Sequence, residues 1–220
     1  ADWGRDCLER GVVEDGGGRV QILKWTAGLS TSKLVEKILK NYKTPLIKAV
    51  FIDRDGTINH NGERGYIYKK EDIRFLPGIL SALKKLSKTD YKIIIATNQS
   101  GIGRGDYSEK DFQKVNKYIL AEFKKKGIRV DAVYHCPHHP DDACVCRKPA
   151  PGMALRAVKD FDISLNDSWM VGDSDKDVLF GREANMKTIK LGGKMAAEHK
   201  IEPKHYAENL REAVNIILDK

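Results

Sequence analysis

No apolar run in this sequence is long enough to cross a bilayer. The longest, such as Ala49–Ile52 and residues 93–96, fall far short of the roughly 20 residues that a helical span requires. The opening Ala1-Asp2-Trp3-Gly4 lacks the basic-then-apolar pattern of a secretory leader. A cytoplasmic location is therefore the expectation. Because Ala1 is not an initiator, the chain is also expected to be a piece of a longer one. Aromatic residues are few, at 8%, and no basic block is interleaved with them at a recognisable spacing, so the pattern of a nucleic-acid footprint is missing. The formal charge of +8 rests largely on lysines scattered over helix-like stretches (Lys84, Lys85, Lys88 and residues 124–126), which read as solvated faces. The alternative, a nucleic-acid surface, stays open at this point, and a positive field would also suit an anionic substrate. Neither a nucleic-acid nor a membrane partner is expected. Repeats and low-complexity tracts are missing too. Only four cysteines occur, three of them within residues 136–146 beside histidines. A chain this long without a leader is not a disulfide-stapled miniprotein, so metal binding is the better reading.

What is present is the make-up of a soluble domain: 220 residues, 41% hydrophobic and 32% charged, enough for one core plus a short appendage. Residues 48–53 (KAVFID) form a β-branched run ending in a carboxylate, as in a buried strand that feeds a loop. Helical spacing of Ile79, Leu80, Leu83 and Leu86 follows, then strands over 92–96 and 130–134. Between those two strands lies a long helix over 108–126 with Ser108 as cap and Gly127 as stop. A helix over 152–160, a strand over 168–172, a helix over 175–184 and a final strand over 187–191 complete the pattern. This alternation predicts an α/β fold with a parallel sheet covered on both faces. Ligands in such folds sit beyond the carboxyl ends of the strands.

Four constellations fall there. Asp53-Arg54-Asp55-Gly56-Thr57 sets two carboxylates two residues apart, so that one can attack phosphorus while the other handles protons. Two such charges call for a cation, and Mg²⁺ with oxygen ligands is the natural partner. An Asp-rich turn bent at Gly56 is the plainer alternative. Thr97-Asn98-Gln99-Ser100-Gly101 offers a hydroxyl and backbone N–H groups to phosphate oxygens. Lys148, after Arg147, can neutralise charge on a transferring phosphoryl group. Gly172-Asp173-Ser174-Asp175-Lys176-Asp177 suits the completion of a magnesium site, or serves only as an acidic helix start.

In order and placement these four motifs resemble the haloacid-dehalogenase (HAD) superfamily of phosphatases, over residues 46–195. The resemblance implies a HAD-like Rossmannoid three-layer fold. It also implies Asp53 as a nucleophile forming an aspartyl-phosphate, Asp55 as acid/base, and Thr97 and Lys148 gripping the phosphoryl oxygens. Magnesium would sit on Asp53, the Asp55 backbone carbonyl and Asp173, with Asp177 in support.

Cys136-Pro137-His138 and Cys144-Val145-Cys146 supply three thiolates and an imidazole, a set that suits a closed, structural zinc site. Such a site would stiffen the loop that carries Arg147 and Lys148; a cluster of buried or redox thiols is the alternative. His135 and His139 read as loop residues that do not ligate, and Cys7 as a small apolar residue. This loop, with Asp53-Arg54-Asp55-Gly56-Thr57-Ile58-Asn59 and Gly65-Tyr66, is similar to the heptose-bisphosphate phosphatase and histidinol-phosphatase branch of the superfamily. That branch has no large cap domain, and short loops (63–66, 100–104 and the zinc loop) set its specificity. By this likeness the substrate positions are Glu63, Arg64, Gly65, Tyr66, Asn98, Gln99, Ser100 and Arg147, besides Thr97 and Lys148. Two departures stand out: Ser174 follows Asp173 where heptose-specific relatives commonly carry lysine, and residues 59–64 form a slightly longer stretch.

Residues 1–42 stand apart from a domain over 43–220. Gly28-Leu29-Ser30-Thr31-Ser32, followed by Leu34-Val35-Glu36-Lys37-Ile38, resembles the end of a cytidylyltransferase-like nucleotidyltransferase domain; an ordinary capped helix is the alternative. A transferase fused to or associated with a phosphatase would fit nucleotide-activated heptose synthesis. The resemblances together imply a monomeric hydrolase acting on the 7-phosphate of D-glycero-D-manno-heptose 1,7-bisphosphate, with histidinol phosphate or another small sugar phosphate as the alternative substrate.

Overall fold

Apolar residues at successive positions, without polar alternation, make Ala49–Ile52 (β1) a strand buried on both faces. In the computed structural model that describes residues 46–62, 67–192 and 201–219, it lies inside a parallel sheet. The chain divides into two units between Pro45 and Leu46, and the described residues belong to the second. The readings for residues 1–42 with Cys7, and for Glu63, Arg64, Gly65 and Tyr66, lie outside the described residues.

The sheet adds Lys92–Asn98 (β2), Ala132–Cys136 (β3), Trp169–Gly172 (β4), Lys187–Leu191 (β5) and His205–Ala207 (β6), in the order β3-β2-β1-β4-β5-β6. Helices Ile79–Leu86 (α1), Ser100–Gly103 (α2), Glu109–Lys125 (α3), Gly152–Phe161 (α4), Asp175–Glu183 (α5) and Leu210–Leu218 (α6) connect and follow the strands. Successive side chains of β1 go to opposite faces. Val50 and Ile52 pack with Leu83 of α1, Ile119 of α3 and Val214 of α6. Ala49 and Phe51 pack with Ala154 of α4 and Phe180 of α5. The result is three layers, α/β/α, as expected for a HAD-like fold. The connections at the carboxyl edge, residues 53–78 and 137–151, are too short to form a separate cap domain.

Three readings need correction. Strand β3 lies two residues later than residues 130–134, because pairing with β2 starts at Asp131, whose backbone N–H donates to Ile93 O and whose carboxylate accepts from Ile93 N. The shift makes His135 a strand residue, not a loop residue, and puts Cys136 at the strand end. The strand at 187–191 is not the last: β6 pairs parallel with β5, and α6 packs on the sheet behind it. A three-residue edge strand has too few positions to show a period, and so escaped notice. Finally, β2 runs on to Asn98, so Thr97 and Asn98 are strand residues paired with His135 and Cys136.

The sheet reverses its direction of growth at β1. From there the chain builds outward to β2 and β3, then returns to place β4 on the other side. Ligands in open α/β sheets bind at such a switch point. Register sharpens the location: Ile52 is level with Ile95 of β2 and Val171 of β4. Asp53, Thr97 and Asp173 therefore emerge at one edge within one or two residues of each other.

Candidate active site

The Asp53 backbone continues the ladder, its N–H donating to Val171 O at 3.0 Å, and its side chain is almost fully buried. Lys148 reaches it from the loop after β3. The ammonium is 3% exposed and lies 2.5 Å from Asp53 Oδ1, 2.6 Å from Asp177 Oδ1 and 2.8 Å from the Ala96 carbonyl. Asn98 holds the lysine's backbone from both sides, with Nδ2 donating to Lys148 O and Oδ1 accepting from Lys148 N–H, each at 3.0 Å.

Carboxylate oxygens of Asp53, Asp173 and Asp177 lie within 4.8 Å of one another. Burial pushes the Asp53 carboxyl up to about 8; Lys148 pulls it down, while Asp177 and Asp173 push it further up. Burial, and then Asp177, also raise Asp173. Against burial, Asp177 and then Asp53 keep Lys148 protonated beyond its ordinary range. Three carboxylates facing one ammonium leave surplus negative charge in a dry site, the electrostatic condition that a hard divalent cation relieves. Asp177 is the worst placed to ligate. Its Oδ1 already serves Lys148, and its Oδ2 accepts from the Ser174 N–H and hydroxyl at 3.1 and 2.6 Å in the capping box of α5.

Gly56 makes this crowding possible. Its φ of +89° lies in the left-handed region, and a Cβ there would stand 2.2 Å from Asp173 Oδ2 and 2.8 Å from Asn61 Nδ2. Gly56→Ala is expected to lower activity by about 10²-fold, because a displacement near 1 Å at a reacting centre costs on that order. Steady-state kinetics at saturating metal, with circular dichroism to confirm folding, would check this; near-normal kcat would show that the cluster tolerates displacement.

Asp53, Asp55, Thr97, Asn98, Ser100, Arg147 and Lys148 line one cleft of about 410 Å³ with Asp173. Gln99 is the exception among the described residues assigned to substrate. It is fully buried, and its amide is engaged behind the cleft with Asp55, Thr97, Arg54 and Tyr107. Strand alternation by itself would leave Gln99 on the side of Thr97; the strand ends at Asn98, and the turn into α2 sends Gln99 inward. Sequence reasoning also passed over Arg54, a guanidinium with no solvent exposure that donates to both oxygens of Asp55 at 3.1 and 2.7 Å. Asn59 and Lys176 were missed as well: the first donates to Asp55 at 2.8 Å, and the second lines the cleft with Arg104 of the specificity loop 100–104. An arginine between two aspartates was the available signal for Arg54, since a buried carboxylate pair calls for a paired cation.

Cys136, His138, Cys144 and Cys146 converge in the loop after β3. Nearest ligand-atom separations are 3.4 Å for Cys136–Cys144, 3.2 Å for His138–Cys146, and 3.6 Å for both Cys136–His138 and Cys144–Cys146. A tetrahedron with Zn–S bonds of about 2.3 Å and a Zn–N bond of about 2.0 Å has edges of roughly 3.5–3.8 Å, so the four groups fit a zinc ion. His135 does not point at them; its Nε2 lies 3.0 Å from Glu109 Oε2. His139 instead caps the short 3₁₀ turn Pro140–Asp142. Two glycines admit the loop: a Cβ at Gly103 would stand 2.3 Å from His139 N, and one at Gly152 would stand 2.2 Å from Val145 O.

Residues 145–213 match the model of the HAD-hydrolase-like family. A D-glycero-beta-D-manno-heptose-1,7-bisphosphate 7-phosphatase of Helicobacter pylori is 44% identical over 64% of this chain and 80% of its own length. The corresponding alpha-anomer 7-phosphatase of Campylobacter jejuni is 41% identical over 79% of this chain and 97% of its own. Among solved structures, a D,D-heptose 1,7-bisphosphate phosphatase from B. bronchiseptica, complexed with magnesium and phosphate, superposes with a TM-score of 0.73 at 30% identity. It covers 78% of this chain and 98% of that one. The chain belongs to the HAD-like hydrolases, in the family of the heptose-1,7-bisphosphate 7-phosphatases.

Proposed function

We propose that this chain is a magnesium-dependent phosphatase that removes the 7-phosphate of D-glycero-D-manno-heptose 1,7-bisphosphate through an aspartyl-phosphate on Asp53. The observation that carries the reading is the Asp53–Lys148 contact of 2.5 Å inside a three-carboxylate cluster at the strand ends. An Asp53 carboxylate oxygen bonds to phosphorus as the bond from phosphorus to the sugar oxygen breaks, and a proton from Asp55 goes to that oxygen. Water then attacks the same phosphorus and returns a proton to Asp55, and the phosphorus–Asp53 bond breaks. Thr97 accepts from Gln99 Nε2 at 2.8 Å, which leaves its own O–H to donate to a phosphoryl oxygen. Magnesium, when held by Asp53, Asp173 and the Asp55 carbonyl, offsets the charge gathering on those oxygens.

A basic rim favours a bisphosphate over histidinol phosphate. Arg104, Arg147 and Lys176 line the cleft beside Lys148, and the Arg147 Nη1 is buried without a partner. Such a rim attracts a second phosphate and repels the protonated amine of histidinol phosphate. Lys176 also supplies, two residues on, the cation that Ser174 does not. Steady-state kinetics should show kcat/KM at least about tenfold higher for heptose bisphosphate than for histidinol phosphate. Lys176→Ala should raise KM for the bisphosphate and leave monophosphates unaffected. A preference for histidinol phosphate would sink the substrate assignment; assays with both anomers assign the C1 configuration.

The Cys136, His138, Cys144 and Cys146 cluster is proposed to hold a structural zinc ion, closed to substrate. Protein purified without chelator is expected to carry about one equivalent of zinc by metal analysis. Its removal should lower both the melting temperature and activity, since Lys148 follows the last cysteine by two residues. Finding no zinc would remove this site. Among the described residues no helix is long and apolar enough to cross a membrane. We further propose a monomer acting in the cytoplasm, with residues 1–42 as the end of a nucleotidyltransferase-like domain.

A further inference from the structure

The Asp55 carboxylate is fully engaged as an acceptor. Arg54 Nε and Asn59 Nδ2 donate to Oδ1 at 3.1 and 2.8 Å, and Arg54 Nη2 and Gln99 Nε2 donate to Oδ2 at 2.7 and 2.8 Å. A carboxylate has about four lone-pair positions, and all are taken. Asp55 is thereby held in one orientation. Arg54 gives two from a single rigid fork, so it is the hardest to move. Asn59 and Gln99 each give one, but only Gln99 also touches a residue placed to hold the phosphoryl group.

Chemistry fixes the orientation of the Gln99 amide. Arg54 can only donate, and it sits 3.1 Å from Oε1, which leaves Nε2 to face Asp55. Tyr107 adds a second donor to Oε1, with its hydroxyl at 2.6 Å, and its ring stacks on Tyr68 at a centroid distance of 5.1 Å. The two amide hydrogens then go one to Asp55 and one to Thr97, 2.8 Å each. Gln99 is fully buried and Tyr107 nearly so, so substrate does not contact the glutamine.

We propose that Gln99, braced by Tyr107, is a positioning residue that ties the hold on the phosphoryl group at Thr97 to the acid/base carboxylate of Asp55. Engagement of the Thr97 hydroxyl by a phosphoryl oxygen polarises its oxygen as an acceptor and draws the shared amide toward it. Because the same amide nitrogen also holds Asp55 Oδ2, the grip on the phosphoryl group and the aim of the acid/base carboxylate are set together. The inference deepens the phosphatase reading and rests on it.

Leaving-group dependence tests it. The ratio kcat/KM reports events through departure of the leaving group. It would be measured on heptose 1,7-bisphosphate, whose alkoxide needs a proton, and on p-nitrophenyl phosphate, whose phenolate leaves without one. Gln99→Met keeps the volume and removes all four hydrogen bonds. The expected loss is about 10²- to 10³-fold on the sugar ester and about tenfold on the aryl ester, the second reflecting Thr97 alone. Equal losses on the two esters, or no loss on either, overturn the proposal. Tyr107→Phe keeps the ring against Tyr68 and should show the same inequality at smaller size. It decides the matter if Gln99→Met does not fold, and equal effects there overturn the proposal too. A wild-type chain inert toward both esters would remove the phosphatase reading and this inference with it. A wild-type chain that instead prefers another primary alkyl phosphate loses only the heptose assignment, and that ester takes its place in the test.

Discussion

Asp53→Asn is expected to abolish turnover, with kcat at least about 10⁴-fold below that of the wild type, because an amide oxygen does not form the covalent intermediate. The protein should nonetheless fold. Burial and two neighbouring carboxylates push Asp53 up to about 8, so its charge is a burden on the metal-free fold. With a folded-state value above the unfolded value near 4, the stability linked to this group is complete below about pH 4 and is lost as pH rises through about 8. Removing the charge should therefore leave the melting temperature in EDTA at pH 8 unchanged or higher. Loss of activity with loss of stability would point instead to collapse of the site, and retained turnover would refute the nucleophile.

Lys148→Met should be damaging in both respects. The ammonium is the only cation within hydrogen-bond reach of Asp53 and Asp177 among the described residues. Removing one member of a buried ion-pair set costs about 3–5 kcal/mol, because the remaining charges stay buried without a partner. Activity should fall by about 10³-fold or more, since the transferring phosphoryl group loses its fixed positive neighbour. The pH dependence has a definite sign. Lys148 pulls Asp53 down, so its removal lifts Asp53 further, and the variant's deficit in EDTA should be smallest near pH 5 and grow toward pH 8. Chemical denaturation at both pH values measures this, and a deficit independent of pH would contradict the assigned pairing.

Much of the fold was legible because parallel strands buried on both faces leave uninterrupted apolar runs, and because caps such as Ser108 mark helix starts. Where the reading slipped, local pattern was overruled by pairing: Asp131 sets the start of β3, and β6 exists only because β5 offers it an edge. Asp53, Asp55, Thr97, Lys148 and Asp173 could be picked out by their chemistry together with the resemblance to the HAD superfamily, and the structure brings all five to one cleft. Gln99 could not be assigned correctly in that way. Its type and place in Thr97-Asn98-Gln99-Ser100 suit a ligand contact, and only the turn into α2 sends its side chain behind Asp55 and out of the cleft.

The sequence by itself determined which chemistry is possible here: an aspartate nucleophile, a second carboxylate for protons, oxygen ligands for a hard cation, and a compact thiolate–imidazole set. Residue type dictates reactivity, and strand-end loops dictate that these groups meet. The tertiary structure decided how the groups are held. It gathers Asp53 and Asp177 on Lys148 from 95 and 29 residues away, and it surrounds Asp55 with donors from three residues. Those arrangements depend on sheet register and on which face of the chain is buried, and neither is written in the local pattern.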